Sequence, residues 1–278
     1  MRKDEVMGII EGKIKPALPT WPMGQFHPEK WSLDKLCQVA KQFGVEAIEV
    51  VAPEDLPTLK KYGLVSSLTV SHWFTKGFVH KNFWPEITAA YKKAIDANAA
   101  HGFTNVVAFW GYGDSTAEGG GVVSLEEAKK NLIEGYKTIV GYAEEKGCVL
   151  CLEPLNSRDA ADWKGHPEYQ GSNMDDCMEV IRAVGSPALK LCFDMYHVQI
   201  MNGDLIRRIR ENAEYIGYVQ AAGVPGRNEL DETQEINFPA VLKALVDNGY
   251  RGYLGMEFIP TKPDPMDSLA QAMAYFRH

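Results

Sequence analysis

Four side chains in the second half of this sequence recur at one place in a repeating pattern. Glu153, Asp194, Gln220 and Glu257 each end a short apolar run, in Cys148–Glu153, Leu189–Asp194, Tyr215–Gln220 and Tyr250–Glu257. Helix-like stretches separate the runs. If the runs are parallel strands of one barrel, three carboxylates and one amide carbonyl converge at a single mouth. Unpartnered carboxylates repel one another and are costly to bury. A divalent cation resolves this, and an all-oxygen set suits Mg²⁺ or Mn²⁺ best, with Co²⁺ and Zn²⁺ also compatible. Such a cation polarises a carbonyl and its neighbouring hydroxyl and so acidifies the carbon-bound proton between them. A carboxylate beside it can then act as base. A single acid at a strand end is more often a cap or an ion-pair partner. It is the recurrence at four consecutive strand ends that points to a metal site and a proton-transfer site in one place.

Other residues stand close to these ends. His197, three residues after Asp194, could donate to a substrate oxygen; the plainer alternative is a histidine packed under a loop. Arg227, on the loop after the seventh run, could hold a substrate carboxylate or hydroxyl, against the alternative of a surface arginine. His72 and Trp110 are carried as substrate-side candidates, although a structural histidine and a core aromatic are the ordinary readings. Glu49, at the end of the second run, is read the same way, and Trp21 and Trp31 are read as packing. Gly111–Gly121 lacks both a GxGxxG leading into a helix and a GK[ST] ending, so it reads as a loop rather than a phosphate cradle. No Gly-x-Ser-x-Gly element points to a serine hydrolase.

The elements that must position these residues alternate eight times. Strand-like runs fall at Ile14–Thr20, Val45–Val51, Leu64–Val70 and Asn105–Trp110, followed by the four named above. They are short and apolar, as strands covered on both faces should be. Ser32 can cap a helix that runs to Phe43 and stops at Gly44. Ser124 and Glu127 form a capping-box pattern for a helix over Leu125–Lys146. Further helices are expected over Pro53–Tyr62, Lys81–Ala100, Ser172–Val184, Asp204–Asn212, Asn237–Asn248 and Pro265–Phe276. Eight such units in series predict a single (β/α)₈ TIM-barrel domain over residues 1–278. The long inserts Gly111–Val123 and Asn156–Gly171 would then lie at the C-terminal mouth.

Composition narrows the function classes. The 278 residues include 29 basic and 37 acidic side chains, a net charge of −8, which gives a nucleic-acid partner no electrostatic help. Cysteines number five; Cys148 and Cys151 form a CxxC inside a strand, where alternation points them apart. A reduced, cytoplasmic protein is the simple reading. Met1–Lys15 is charged and lacks the apolar run of a signal peptide, and no stretch approaches the ~18 apolar residues of a membrane span.

The segments LEPLNSRD (Leu152–Asp159), FDMYHVQ (Phe193–Gln199), VQAAGVPGR (Val219–Arg227) and EIN (Glu235–Asn237) resemble hydroxypyruvate isomerases of the xylose isomerase-like barrel superfamily. The resemblance is sharp from about residue 145 to 260 and general in the N-terminal half. It implies that Glu153, Asp194, Gln220 and Glu257 hold the metal, and that Glu153 and Glu257 are the paired glutamates relaying a proton across an enediol. By the same resemblance His197 and Arg227 contact substrate. Gln220 departs from the histidine usual in the superfamily's ketose 3-epimerases. Asn228 replaces the family's usual histidine, Asp231–Gln234 replaces its Gly-Thr-Gly, and Thr69–Trp73 and Gly111–Val123 also depart. These departures fall on substrate loops, whereas the metal and base positions keep the pattern.

The expectation is therefore a metal-dependent isomerase that interconverts a small hydroxy-ketone and hydroxy-aldehyde, with hydroxypyruvate and tartronate semialdehyde as the named pair. Its partner is a small molecule, with no nucleic acid and no membrane, and the resemblance is compatible with a homo-oligomer. The rivals are a ketose 3-epimerase or other sugar isomerase, a metal-dependent phosphodiesterase, and a non-catalytic sugar-binding barrel. The phosphodiesterase would need a histidine-rich site, and the chain has seven histidines, few of them at strand ends.

Overall fold

The structure is a computed structural model that describes residues 10–26, 28–161 and 163–276. The first nine positions, on which much of the N-terminal expectation falls, lie outside the described residues. Eight strands pair in sequence order and close on themselves: β1 Lys15–Pro19, β2 Ala47–Val51, β3 Val65–Thr69, β4 Asn105–Ala108, β5 Val149–Leu152, β6 Leu189–Asp194, β7 Ile216–Ala221 and β8 Tyr253–Met256. Every pairing is parallel, and β1 meets β8 through Lys15↔Tyr253, Pro16↔Leu254 and Ala17↔Gly255 to close the barrel. Parallel strands covered by helices need apolar side chains on both faces. The strands supply them: Ala17, Ile48, Leu68, Val106, Leu150, Leu191, Val219 and Leu254 are all buried.

Ten helices are described: α1 Leu33–Phe43, α2 Leu56–Lys61, α3 Trp84–His101, α4 Leu125–Lys137, α5 Val140–Glu145, α6 Met174–Val184, α7 Met195–Met201, α8 Leu205–Asn212, α9 Phe238–Asp247 and α10 Pro265–Met273. α1 begins and ends where its caps dictate. The Ser32 hydroxyl accepts from Lys35 N–H, Gly44 closes the helix at φ 64, and Leu36, Cys37, Val39 and Ala40 form the buried face. Ser124 caps α4 in the same way through Glu127 N–H.

The structure differs from the sequence reading in two helical places. The single helix expected over Leu125–Lys146 is two, because Thr138 turns its hydroxyl onto Gly135 O at 2.6 Å and the chain breaks at Thr138–Ile139. α7 was not expected at all; it starts directly from the end of β6. The two long inserts do lie together at the C-terminal ends of the strands. They meet through a bridge between Tyr112 and Tyr169 and through Gln170 Nε2, which donates to Val123 O. All five cysteines are buried and free. Among the described residues no helix is long and apolar enough to cross a membrane.

Candidate active site

Each residue at the mouth is placed by the end of its own strand. Glu153 follows β5, and its backbone N–H still pairs with Ala108 O before Pro154 ends the ladder. Asp194 closes β6 and at once caps α7: its Oδ1 accepts from Tyr196 N–H at 2.7 Å and His197 N–H at 3.4 Å. Its Oδ2 is buried without a hydrogen-bond partner. Gln220 lies on β7, where Nε2 donates to Glu49 Oε2 and Oε1 accepts from the Cys192 thiol at 3.0 Å. Glu257 follows β8; Trp21 Nε1 donates to its Oε1 at 2.9 Å and Arg227 to its Oε2 at 2.5 Å.

Arg227 reaches inward from the β7–α9 loop with φ 59, a left-handed backbone held in place by its neighbours. Its carbonyl accepts from Ile259 N–H, and two residues on, Glu229 accepts from Thr261 N–H and the Ser268 hydroxyl. The guanidinium donates to Trp163 O at 2.6 Å and lies 3.6 Å from Asp194 Oδ2. It also stacks over Trp21, 4.6 Å from the ring centroid, and Tyr196, at 5.3 Å.

His197 has a defined tautomer. Its Nδ1 accepts from Asn156 backbone N–H at 3.0 Å, with Asn156 Nδ2 at 2.8 Å. A backbone N–H can only donate, so Nδ1 is the lone-pair nitrogen and the neutral ring carries its proton on Nε2. Burial, reinforced by the charge of Arg227, pushes the pKa well below the usual histidine range and keeps the ring neutral. Nε2 faces Asp194 Oδ2 at 3.6 Å, beyond a hydrogen bond, and is itself unpartnered.

The carboxyls are out of balance with their surroundings. Burial pushes Glu153 well above the usual carboxylate range, and the charges of Glu257 and Asp194 add to this while Arg227 opposes it. Burial also lifts Asp194 to about 6, against the pull of Arg227. Glu49 is raised by burial and then by Glu257. One guanidinium thus faces several buried carboxyls, the situation a divalent cation relieves. Glu153, Asp194 and His197 each offer a ligand atom within 4.8 Å of the others. The tautomer argues against the histidine, because an Nε2 that carries the proton has no lone pair to give. The unpartnered Asp194 oxygen and Glu153 fit a cation.

Sequence reasoning treated Trp21 as packing and passed over Asn156, Trp163 and His166. Trp21, Glu153, Trp163, His166, Arg227 and Glu257 line one void of about 40 Å³, room for about one to three waters. Its roof is aromatic: Trp163 stacks on Trp21 at 5.3 Å and meets Trp73 and Phe74 edge-on. The signal for Asn156 lay in the sequence, three residues after Glu153. Trp163 carried none, because a tryptophan in a loop looks alike whether it roofs a site or covers a core.

His72 and Trp110 stand apart from this cluster. His72 lines a wider cleft of about 510 Å³ that shares Trp21, Val50 and Trp73 with the void. Its ring meets Tyr91 edge-on at 4.9 Å, and burial pushes its pKa down to about 3. Trp110 is fully buried and lies in the wall of neither cavity. It reaches the site only through its backbone N–H, which donates to Tyr169 Oη, whose hydroxyl in turn donates to Glu153 O.

Known proteins share this architecture. The chain is 36% identical over 118 residues to a 2-oxo-tetronate isomerase of Cupriavidus necator, covering 42% of this chain and 43% of that protein. It is 29% identical over 137 residues to the hydroxypyruvate isomerase of Escherichia coli K12, covering 49% and 50%. The aligned stretches thus span about half the length of these curated relatives or less. An AP endonuclease, family 2, from Brucella melitensis superposes with a TM-score of 0.78 at 22% identity, covering 95% of this chain and 100% of that one, a likeness of fold alone. The family model for the xylose isomerase-like TIM barrel matches residues 37–278, most of the barrel described above, and the chain belongs to that family.

Proposed function

We propose that this chain is a metal-dependent isomerase that moves a carbonyl between adjacent carbons of a small hydroxy-carbonyl compound. Hydroxypyruvate and tartronate semialdehyde are the named pair. The observation that carries the reading is that Glu153 and Glu257 line one small pocket, with the unpartnered Oδ2 of Asp194 close to Glu153. Glu153, Asp194, Gln220 and Glu257 would hold the cation, which when bound polarises adjacent substrate oxygens.

The side chains do the rest. One glutamate takes the proton from C3 of hydroxypyruvate, giving an enediolate; the other delivers a proton to C2. Meanwhile O2 gains a proton and O3 loses one, so product and substrate are isomers and no redox partner is needed. His197 Nε2–H, fixed by Asn156, donates to a substrate oxygen as negative charge develops on it. Arg227 Nε–H is buried without a partner and can meet the substrate carboxylate. The aromatic side chains around the pocket give it apolar walls, which limit the water that reaches an enediolate. The five buried thiols suit a reducing compartment.

Two other readings bear on specificity. One relative is named for a four-carbon 2-oxo acid, and the 510 Å³ cleft beside the void would accept a longer substrate, so 2-oxo-tetronate belongs in the test panel. The fold is shared with an AP endonuclease, but a chain of charge −8 lacks the basic footprint that a phosphate backbone requires.

The experiment is incubation in D₂O of protein loaded with Mg²⁺ or Mn²⁺, against an EDTA control, with hydroxypyruvate, short 2-oxo acids and ketoses. Mass spectrometry reads carbon-bound deuterium and product identity together. Cation-dependent carbonyl migration is expected. Inversion at C3 without migration would select an epimerase, and absence of both exchange and product across the panel would overturn the reading.

A further inference from the structure

Glu49 stands outside the ligands and bases named above, yet the fold goes to some length to hold it. It is fully buried in the middle of β2, and the β2–β3 register shifts on both sides of it. Val50 beside it has φ 56, a left-handed backbone that a β-branched residue rarely adopts. Thr20 fixes the kink twice: its N–H donates to Glu49 O at 3.2 Å and its hydroxyl to Val50 O at 2.7 Å. An irregularity of this kind re-aims a side chain. Here it sends the carboxyl to β7, where Gln220 Nε2 donates to Oε2 at 3.2 Å. On β8, Gly255 leaves the room, because a Cβ there would lie 2.1–2.3 Å from the Glu49 carboxyl atoms.

A glutamine amide has two ends of almost equal size and opposite hydrogen-bonding sense. In either protonation state a carboxyl oxygen of Glu49 can accept from Nε2. With Nε2 so engaged, Oε1 is the end turned away, where the Cys192 thiol donates to it at 3.0 Å. A cation takes oxygen and not NH₂.

We propose that Glu49 is a positioning residue that fixes the Gln220 amide so that its carbonyl oxygen is presented to the divalent cation. The inference rests on the cation site of the proposed function. Glu49→Leu removes the anchor. Glu49→Gln keeps the shape but lets the new amide donate as well as accept, so both orientations of Gln220 are satisfied. Loss of a partner that orients a metal ligand typically weakens metal binding by about 10- to 100-fold.

The test is Mn²⁺ affinity, read from the electron paramagnetic resonance signal of free Mn²⁺, on the full chain and on E49L, E49Q, Q220A and E49L/Q220A. E49L and E49Q should each bind Mn²⁺ about 10- to 100-fold more weakly, and the double variant no more weakly than Q220A alone. Circular dichroism checks folding; if E49L does not fold, the cycle is completed with E49Q. Unchanged affinity in E49L and E49Q, or a double variant that adds the full Glu49 loss to that of Q220A, overturns the positioning role while leaving the cation site in place. A wild-type chain that binds no Mn²⁺ overturns the cation site and the positioning role together.

Discussion

Arg227→Met removes the guanidinium that faces Glu257, Asp194 and Glu153 and leaves a side chain that still fills much of the arginine stem's space. The lost contacts are the hydrogen bonds to Glu257 and to Trp163 O, the 3.6 Å approach to Asp194 and the stacking over Trp21 and Tyr196. Arg227, Glu257 and Asp194 are all buried, so solvent does little to screen what remains. Removing one partner of a buried ion pair costs about 3–5 kcal/mol, because the other charge stays behind uncompensated. In a chain of this size each kcal/mol moves the midpoint by about 2–4 °C, so the metal-free variant should melt about 6–20 °C below wild type. Thermal unfolding in EDTA near neutral pH measures this. Mn²⁺ neutralises the same carboxylates, so a saturating concentration should raise the melting temperature of Arg227→Met more than that of wild type. A variant within about 1 kcal/mol of wild type in EDTA, well below the range for a broken buried pair, would show that the carboxyls do not depend on Arg227. Equal Mn²⁺ shifts in the two proteins would show that the ion does not share them.

Asn156→Ala removes the Nδ2 contact to His197 Nδ1 but keeps the backbone N–H that fixes the tautomer. ¹⁵N spectra should therefore still show a single Nε2–H tautomer in the variant, and a His197 proton shared between the two nitrogens would refute the account. Trp163→Ala removes the roof ring but keeps the carbonyl that binds Arg227, so kcat/KM for four-carbon and longer substrates should rise relative to hydroxypyruvate; an unchanged ratio would mean that the roof does not select for size. Asp194 carries a pH signature in the metal-free protein. Its folded pKa, about 6, lies above the unfolded value of about 3.9, so its contribution to stability is complete below the unfolded value and is lost as pH rises through about 6. Asp194→Asn, still able to cap α7, should therefore gain about 2 kcal/mol on wild type between pH 4 and 7 in EDTA; a pH-independent difference in urea unfolding would contradict it.

The barrel was legible because its signals are local. Gly44 sits where only a residue at ease in the left-handed region ends α1 cheaply, and Ser32 and Ser124 sit where orphan N–H groups need an acceptor. α7 was not legible, because Met195–Met201 continues the apolar run of β6 with no charged face to mark a helix, and its cap is Asp194, a residue already read for its charge. The break at Thr138 escaped notice for a related reason: a threonine bonds its own preceding turn or leaves it alone, and only the packed structure decides which.

What the site commits each residue to is a long-range matter. Glu153 and Glu257 are alike in sequence, each an acid after an apolar run. In space Glu257 is tied to Trp21, 236 residues away, and to Arg227, whereas Glu153 is a raised carboxyl with its neighbours' charges against it. The two carboxyls are therefore not interchangeable, and the one less committed to partners is the one freer to exchange a proton. Glu49 makes the same point more sharply. In a regular strand its side chain would alternate with Ile48 and Val50, and Val50, being β-branched, argues against the very kink that turns Glu49 toward Gln220. The sequence identified which atoms could hold a cation or move a proton, because that is written in residue type. Which end of the Gln220 amide meets Glu49 depends on a threonine on β1's flank, a strained valine on β2 and a missing Cβ on β8, and no local pattern joins those three.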